Sequence, residues 1–157
     1  MRVTVRIQEQ DFSLAREWNS LRQRIGGTAG GIVAFAGLVR DRARAGEEVS
    51  RLFLEHYPGM TESSIEEIIG RARERWPLQD VVVVHRVGDL EPGDQIVLVL
   101  AASAHRGAAF AGCEYVMDML KTKAVFWKKE VQTGSEGTWI RSTGDDFERA
   151  KHWQDDR

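Results

Sequence analysis

Cysteine is almost missing from this chain: Cys113 stands alone in 157 residues. An internal disulfide is therefore impossible, and no CxxC pair exists to hold zinc or carry redox chemistry. HExxH, an Asp-rich metal loop and a GxSxG elbow are missing too. The four histidines, His56, His85, His105 and His152, are far apart and no two have ligand spacing. Neither a metal nor any other cofactor is expected. Long apolar runs are lacking, and none approaches the roughly 20 residues that span a bilayer. Met1 to Val5 alternates like a strand and has no signal-peptide apolar region. A reducing, cytoplasmic setting without membrane contact is the expectation. An excess of either charge is lacking as well. The 22 Lys and Arg face 24 Asp and Glu, for a formal net charge of -2. Whole-molecule attraction to nucleic acid is not expected, so any anion site must be a local cluster.

The length suits one domain with a real core, residues 1–157, ending in a charged tail from about 145. Val3, Val5 and Ile7 alternate as a first strand. Asp11 or Ser13 can cap a helix carrying Leu14, Trp18 and Leu21. Gly26-Gly27-Thr28-Ala29-Gly30-Gly31 breaks it. No Walker lysine follows and a strand comes next, so the cluster reads as a loop and not a phosphate cradle. Ile32 to Val39 is nearly continuous and apolar, which predicts a buried strand. The charged stretch Arg40 to Glu48 has no apolar period and reads as a surface loop. Arg42 and Arg44 belong to that loop, whereas Arg40 adjoins the strand end and can be held rigidly.

Arg51 to His56 predicts a strand with Leu52 and Leu54 on one face. Pro58-Gly59 turns the chain into a helix burying Ile65, Ile68, Ile69, Ala72 and Trp76, which Pro77 stops. Val81 to Val84 is a central strand, paired antiparallel with Gln95 to Ala102. A helix follows, with Ala109, Phe110, Cys113, Val116, Met117 and Leu120 on one stripe. Cys113 on that stripe reads as a buried structural thiol. A short strand at Val125-Phe126-Trp127, a Gly134 to Gly137 turn and a strand at Thr138 to Ile140 come next. The tail predicts a short helix or a frayed end. Strands joined by hairpins as well as by helices predict an α+β fold with a mixed, mainly antiparallel sheet.

The chemistry concentrates around the central helix. His105-Arg106 stand at its start, where free N–H groups and the dipole favour an anion. Lys121 and Lys123 stand at its end, where cations are favoured. On the residues alone, ordinary helix stabilisation and solubility are the favoured account of those two. In a strand, Phe126 and Lys128 point to one face and Trp127 and Lys129 to the other, so one lysine is directed beside an aromatic ring.

Several stretches together resemble one family. They are Phe53-Leu54-Glu55-His56-Tyr57-Pro58-Gly59-Met60-Thr61, His85-Arg86-Val87-Gly88-Asp89-Leu90, Ser103-Ala104-His105-Arg106, and Met117 to Lys123 through Phe126-Trp127-Lys128-Lys129-Glu130. In this order, over roughly residues 30 to 142, they are similar to the large, catalytic subunit of molybdopterin synthase. The resemblance implies an α/β hammerhead fold. It implies conversion of cyclic pyranopterin monophosphate (precursor Z) to molybdopterin by insertion of two dithiolene sulfurs. The sulfur donor it implies is a small ubiquitin-like subunit with a C-terminal Gly-Gly thiocarboxylate, in a heterotetramer built on a dimer of large subunits. By the same resemblance, Lys121 and Lys128 are catalytic. Leu38, Val39, Arg40, His105, Arg106, Lys129 and Glu130 join those two lysines in contacting substrate. Two departures stand out. Leu38 replaces a frequent lysine, which leaves only its backbone to bind phosphate. Val125 replaces a common proline, which is expected to loosen the lysine-bearing turn. The competing readings are a module gripping RNA or a nucleotide through its basic residues, and a non-catalytic dock for a ubiquitin-like tail.

Overall fold

The computed structural model describes residues 1–41, 49–132, 138–140 and 144–154. Arg42, Arg44 and the expected Gly134 to Gly137 turn lie outside the described residues. In chain order the elements are β1 (Arg2–Gln8), α1 (Leu14–Ile25), β2 (Gly31–Leu38), β3 (Val49–His56), α2 (Met60–Arg75) and β4 (Leu78–Arg86). Then come β5 (Gly88–Leu90), β6 (Gln95–Ser103), α3 (Arg106–Thr122), β7 (Phe126–Gln132), β8 (Thr138–Ile140) and α4 (Gly144–His152).

The α+β expectation holds, with the strands divided between two four-stranded sheets, β1-β4-β6-β2 and β5-β3-β7-β8. Among the described residues only β1 and β4 pair in parallel; the other pairs are antiparallel. The first sheet is covered on both faces, which explains why Val81 to Val84 and Val97 to Ala102 show no polar alternation. Val81, Val83, Val97, Val99 and Ala101 face Ile65, Ile68 and Ile69 of α2 and Cys113, Val116 and Leu120 of α3. Val82, Val84, Leu98, Leu100 and Ala102 face Phe12 and Leu21, from the α1 side. The second sheet buries Leu52, Leu54 and Leu90 with Val39 and Val87. Ile7, Ile96 and Phe126 pack against both this cluster and the main core, so the two sheets share one hydrophobic seam.

The local signals mostly act as expected. Ser13 caps α1, its hydroxyl accepting from the Arg16 N–H at 3.2 Å. Gly59, at a φ of 86°, leads into α2, and the Glu62 carboxylate accepts from its N–H. The tail forms α4 and docks. Trp153 packs edge-on to Trp76 and Tyr115, and its indole N–H donates to the Asp118 carboxylate at 2.7 Å.

One strand departs from expectation. Ile32 to Val39 was to be buried, yet β2 is an edge strand, and Ala34, Phe35, Ala36 and Leu38 are exposed. Leu38 is 57% exposed and Phe35 44%. An apolar run reports a tendency to be covered, not what covers it; here β6 pairs with only one edge of the strand. Phe110 departs likewise: it belongs to the α3 stripe but is 61% exposed, on the side turned toward Phe35.

Candidate functional site

The site is built on the two ends of α3. At the start, β6 delivers Ser103, whose buried hydroxyl donates to the Pro77 carbonyl at 2.9 Å. The Gly30 N–H donates to the Ser103 carbonyl at 2.9 Å. A Cβ on Gly30 would lie only 2.0 Å from the Ala104 carbonyl oxygen, so no other residue fits without a backbone shift. The glycine cluster is thus a close backing for the turn that presents His105 and Arg106. His105 is the N-cap of α3 and Arg106 its first residue, both exposed.

At the other end, Lys121 occupies the last turn and Lys123 the C-cap. Sixteen residues separate His105 from Lys121, and at 1.5 Å per residue that is about 24 Å of straight helix. The residues expected to form one site therefore split into two groups within a single chain.

The turn from α3 to β7 is pinned to the start of α2. Fully buried Thr61 donates its hydroxyl to the Val125 carbonyl at 2.6 Å and accepts from the Tyr57 N–H at 2.9 Å. The Val125 N–H donates to the Ser64 hydroxyl at 3.3 Å. A proline at 125 has no N–H to give. Valine here adds a tether that proline could not make.

Beyond the turn, β7 pairs with β3 so that His56 stands opposite Phe126 and Leu54 opposite Lys128. Trp127 points to the other side, edge-on to Tyr57 at 4.4 Å. Lys129 and Glu130 pair with Phe53 and Leu52 through the backbone; their side chains lie outside the described part. Val39 is buried with Leu52 and Leu54 and is clamped by backbone bonds to Gly93 and Asp94 at 2.8 and 2.9 Å. Arg40 follows a fixed residue, as its place next to the strand end suggested. Val39 packs on the same sheet that carries Lys128.

His85, at the end of β4, lies between these elements. Its ring stacks on Phe126, with centroids 4.1 Å apart and planes 26° off parallel. Its Nδ1 is 2.7 Å from the Arg86 carbonyl oxygen. A carbonyl has no proton, so Nδ1 carries it and donates. Burial above all holds the imidazole down to about 4, helped by the charges of Lys121, Lys128 and His56 and opposed by the Arg86 bond. The ring is neutral at pH 7. Lys121 and Lys128 come from different elements, yet both bear on this one ring.

Lys121 also lines a cleft of about 450 Å³ between β2, α3 and α4. Phe35, Phe110 and Met117 make one side apolar, and Glu114, Asp118 and Asp146 line the cleft together with Lys121. Arg149 on α4 closes another side, bonded to Asp118 at 3.0 Å and to Glu114 at 2.9 Å. Cys113 is in the lining, 3.9 Å from the Val99 carbonyl, and burial pushes its thiol up to about 12. That is an inert thiol, as expected.

A family profile described as "MoaE protein" matches residues 7–123. The chain belongs to the MoaE family. It is 54% identical to the molybdopterin synthase catalytic subunit of Vibrio cholerae serotype O1, over 96% of this chain and 97% of that protein. Among solved structures it superposes on molybdopterin cofactor biosynthesis protein E from Burkholderia multivorans with a TM-score of 0.82 at 46% identity, covering 98% of both chains. It superposes on a chain of molybdopterin synthase from Staphylococcus aureus with a TM-score of 0.76 at 29% identity, covering 86% of this chain and 95% of that one. Within this MoaE family fold, residue types and order pointed to Lys121, Lys128, Arg40 and the His105-Arg106 pair. They did not single out His85, Phe35 or the Asp118–Arg149 pair. The signals for His85 were its position, closing the run Val81 to Val84, and its place at the head of the family-like stretch His85 to Leu90.

Two outcomes are expected. Thr61→Val keeps the shape but leaves the Tyr57 N–H and the Val125 carbonyl without their partner, and costs about 1–3 kcal/mol in urea unfolding. The second concerns pH. The unfolded chain binds a proton at His85 below its ordinary 6.5, and the folded chain refuses it down to about 4. Stability therefore falls as pH drops through that window, by up to about 3 kcal/mol from this group. Above 6.5 the group contributes no slope. Urea midpoints measured from pH 7 to 4 show this fall, and it flattens in His85→Phe.

Proposed function

We propose that this chain is the catalytic subunit of a molybdopterin synthase acting in the cytoplasm, with residues 1–157 as one functional unit. Its substrate is cyclic pyranopterin monophosphate. Its sulfur donor is the C-terminal thiocarboxylate of a small ubiquitin-like carrier subunit. The observation that carries the reading is the convergence of Lys121 and Lys128 on neutral His85, beside a cleft that Lys121 itself lines. Membership of the MoaE family and the names of its relatives supply the reaction class.

The chemistry fits that arrangement. An extended tail ending in an anion suits an apolar side that ends on Lys121, where Arg149 offsets Asp118 and Glu114 of the same lining. The thiocarboxylate sulfur attacks a pterin side-chain carbon, forming a C–S bond while an oxygen leaves. Lys128 orients the pterin and gives that oxygen its proton. Water then attacks the acyl carbon, the C–S bond to the carrier breaks, and sulfur stays on the product. Lys121, nearest the tail, stabilises the charge that develops on the acyl oxygen. A second carrier supplies the second sulfur. A docking scaffold needs the cleft but has no use for converged lysines.

Arg40, His105 and Arg106 neutralise the substrate phosphate, with contacts from Leu38, Lys129 and Glu130 around them. Val39, expected among those contacts, is buried with its N–H and carbonyl bonded to Asp94 and Gly93, and supports Arg40 instead. About 24 Å of helix separates His105 from Lys121. One substrate can meet both ends only if a second copy contributes its His105-Arg106 turn. The exposed apolar residues of edge strand β2 favour such a self-association.

The test is an assay with thiocarboxylated carrier and pyranopterin substrate. Wild type forms the dithiolene product. Lys121→Ala and Lys128→Ala each lose at least about 100-fold in rate while still binding the carrier. Wild-type turnover in either variant removes that lysine from the mechanism.

A further inference from the structure

We propose that His85 is a positioning residue for the lysine pair: the flat face of its ring, stacked on Phe126, sets where Lys128 stands. The inference rests on the function proposed above and adds a residue to it.

Three observations carry it. First, the polar edge of the ring is satisfied locally, which leaves its flat face to Phe126. Nδ1 is committed to the Arg86 carbonyl at 2.7 Å, in the part of β4 where Arg86 is itself held. The Arg86 guanidinium donates to the Glu9 carbonyl and, at 3.0 Å, to the Gln95 carbonyl. Second, the ring lies nearly flat on Phe126, at 4.1 Å and 26°. Phe126 and Lys128 share a face of β7, two residues apart, so the height of one sets the height of the other. Third, Phe126 is the first residue of β7, directly after the tethered Val125. Thr61 and Ser64 fix the chain from one side and His85 from the other.

The charges around the ring agree with a neutral platform. The charges of Lys121 on α3, Lys128 on β7 and His56 on β3 all act on it. His56 is 3.6 Å from Glu62 of α2. Arg86 adjoins it on β4. A cation at position 85 would add repulsion beside two lysines. A ring held neutral supports them without competing for the anion they receive.

The experiment uses the full chain with its thiocarboxylated carrier and pyranopterin substrate, and compares His85→Leu with His85→Phe. Leucine fills the space without a flat face, and phenylalanine restores the face without ring nitrogens. The expected result is a kcat at least about tenfold lower in His85→Leu, with KM for the carrier within about twofold of wild type. In His85→Phe the kcat returns to within about threefold of wild type. Three results overturn the proposal. His85→Leu with wild-type kcat shows that the stack positions nothing. His85→Phe as slow as His85→Leu assigns the role to a ring nitrogen. Loss of carrier binding along with activity makes His85 a residue of the fold only. Lys128→Ala is run alongside. Wild-type turnover there defeats the proposed function itself, a different failure from any of these three.

Discussion

Helix α3 cannot shift or bend without uncovering the stripe it packs on β6, and that rigidity decides where the chemistry can be. Ala109, Cys113, Val116 and Leu120 are all buried along it. Gly112 is packed so closely that a Cβ there would lie 2.7 Å from Leu78. The helix is a rod of 17 residues, about 25 Å long, with cationic side chains at both ends. The turn backed by Gly30 fixes one end. The Thr61–Val125–Ser64 tether fixes the other. Everything proposed about the reaction follows from what those two ends can and cannot reach.

The lysine end shows how a chain can concentrate positive charge without destabilising itself. Lys121 sits where the helix dipole welcomes a cation. Lys128 arrives on a strand whose register is set by β3. The group between them, His85, is titratable in principle but buried enough to stay neutral at pH 7. Acid reverses this, because the proton the folded state excludes is one the unfolded chain takes up. The same burial that prepares the site for an anion makes the fold sensitive to low pH.

Much of this was legible in the residues. The doubly covered strands β4 and β6 were visible as runs without polar alternation, and α3 as an apolar stripe between a His-Arg turn and a lysine turn. Ser13 announced the start of α1. What was not legible was distance and coverage. A sequence pattern gives α3 its amphipathic period but does not say that its ends serve different places, although its length already implies about 24 Å. The run Ile32 to Val39 signals a need for cover, and the fold leaves Phe35 and Leu38 exposed at an edge. Val125 looked like a loosened turn because proline is stiff; the compensating bonds come from Thr61 and Ser64, more than 60 residues away in the chain. His85 was hidden for the same reason, since its partner Phe126 lies in another sheet.

The central claim is that the two ends of α3 serve one substrate only across two copies of the chain. Mixing two inactive variants tests it directly. One carries Lys121→Ala and the other Arg106→Ala, and the two are unfolded and refolded together, then assayed with carrier and substrate. In a mixed pair one site receives both lesions and the other receives none. Half of the pairs are mixed and half of their sites are intact, so about a quarter of wild-type activity returns. If the refolded mixture stays as inactive as its parents, both ends act within a single chain and the two-copy account is wrong.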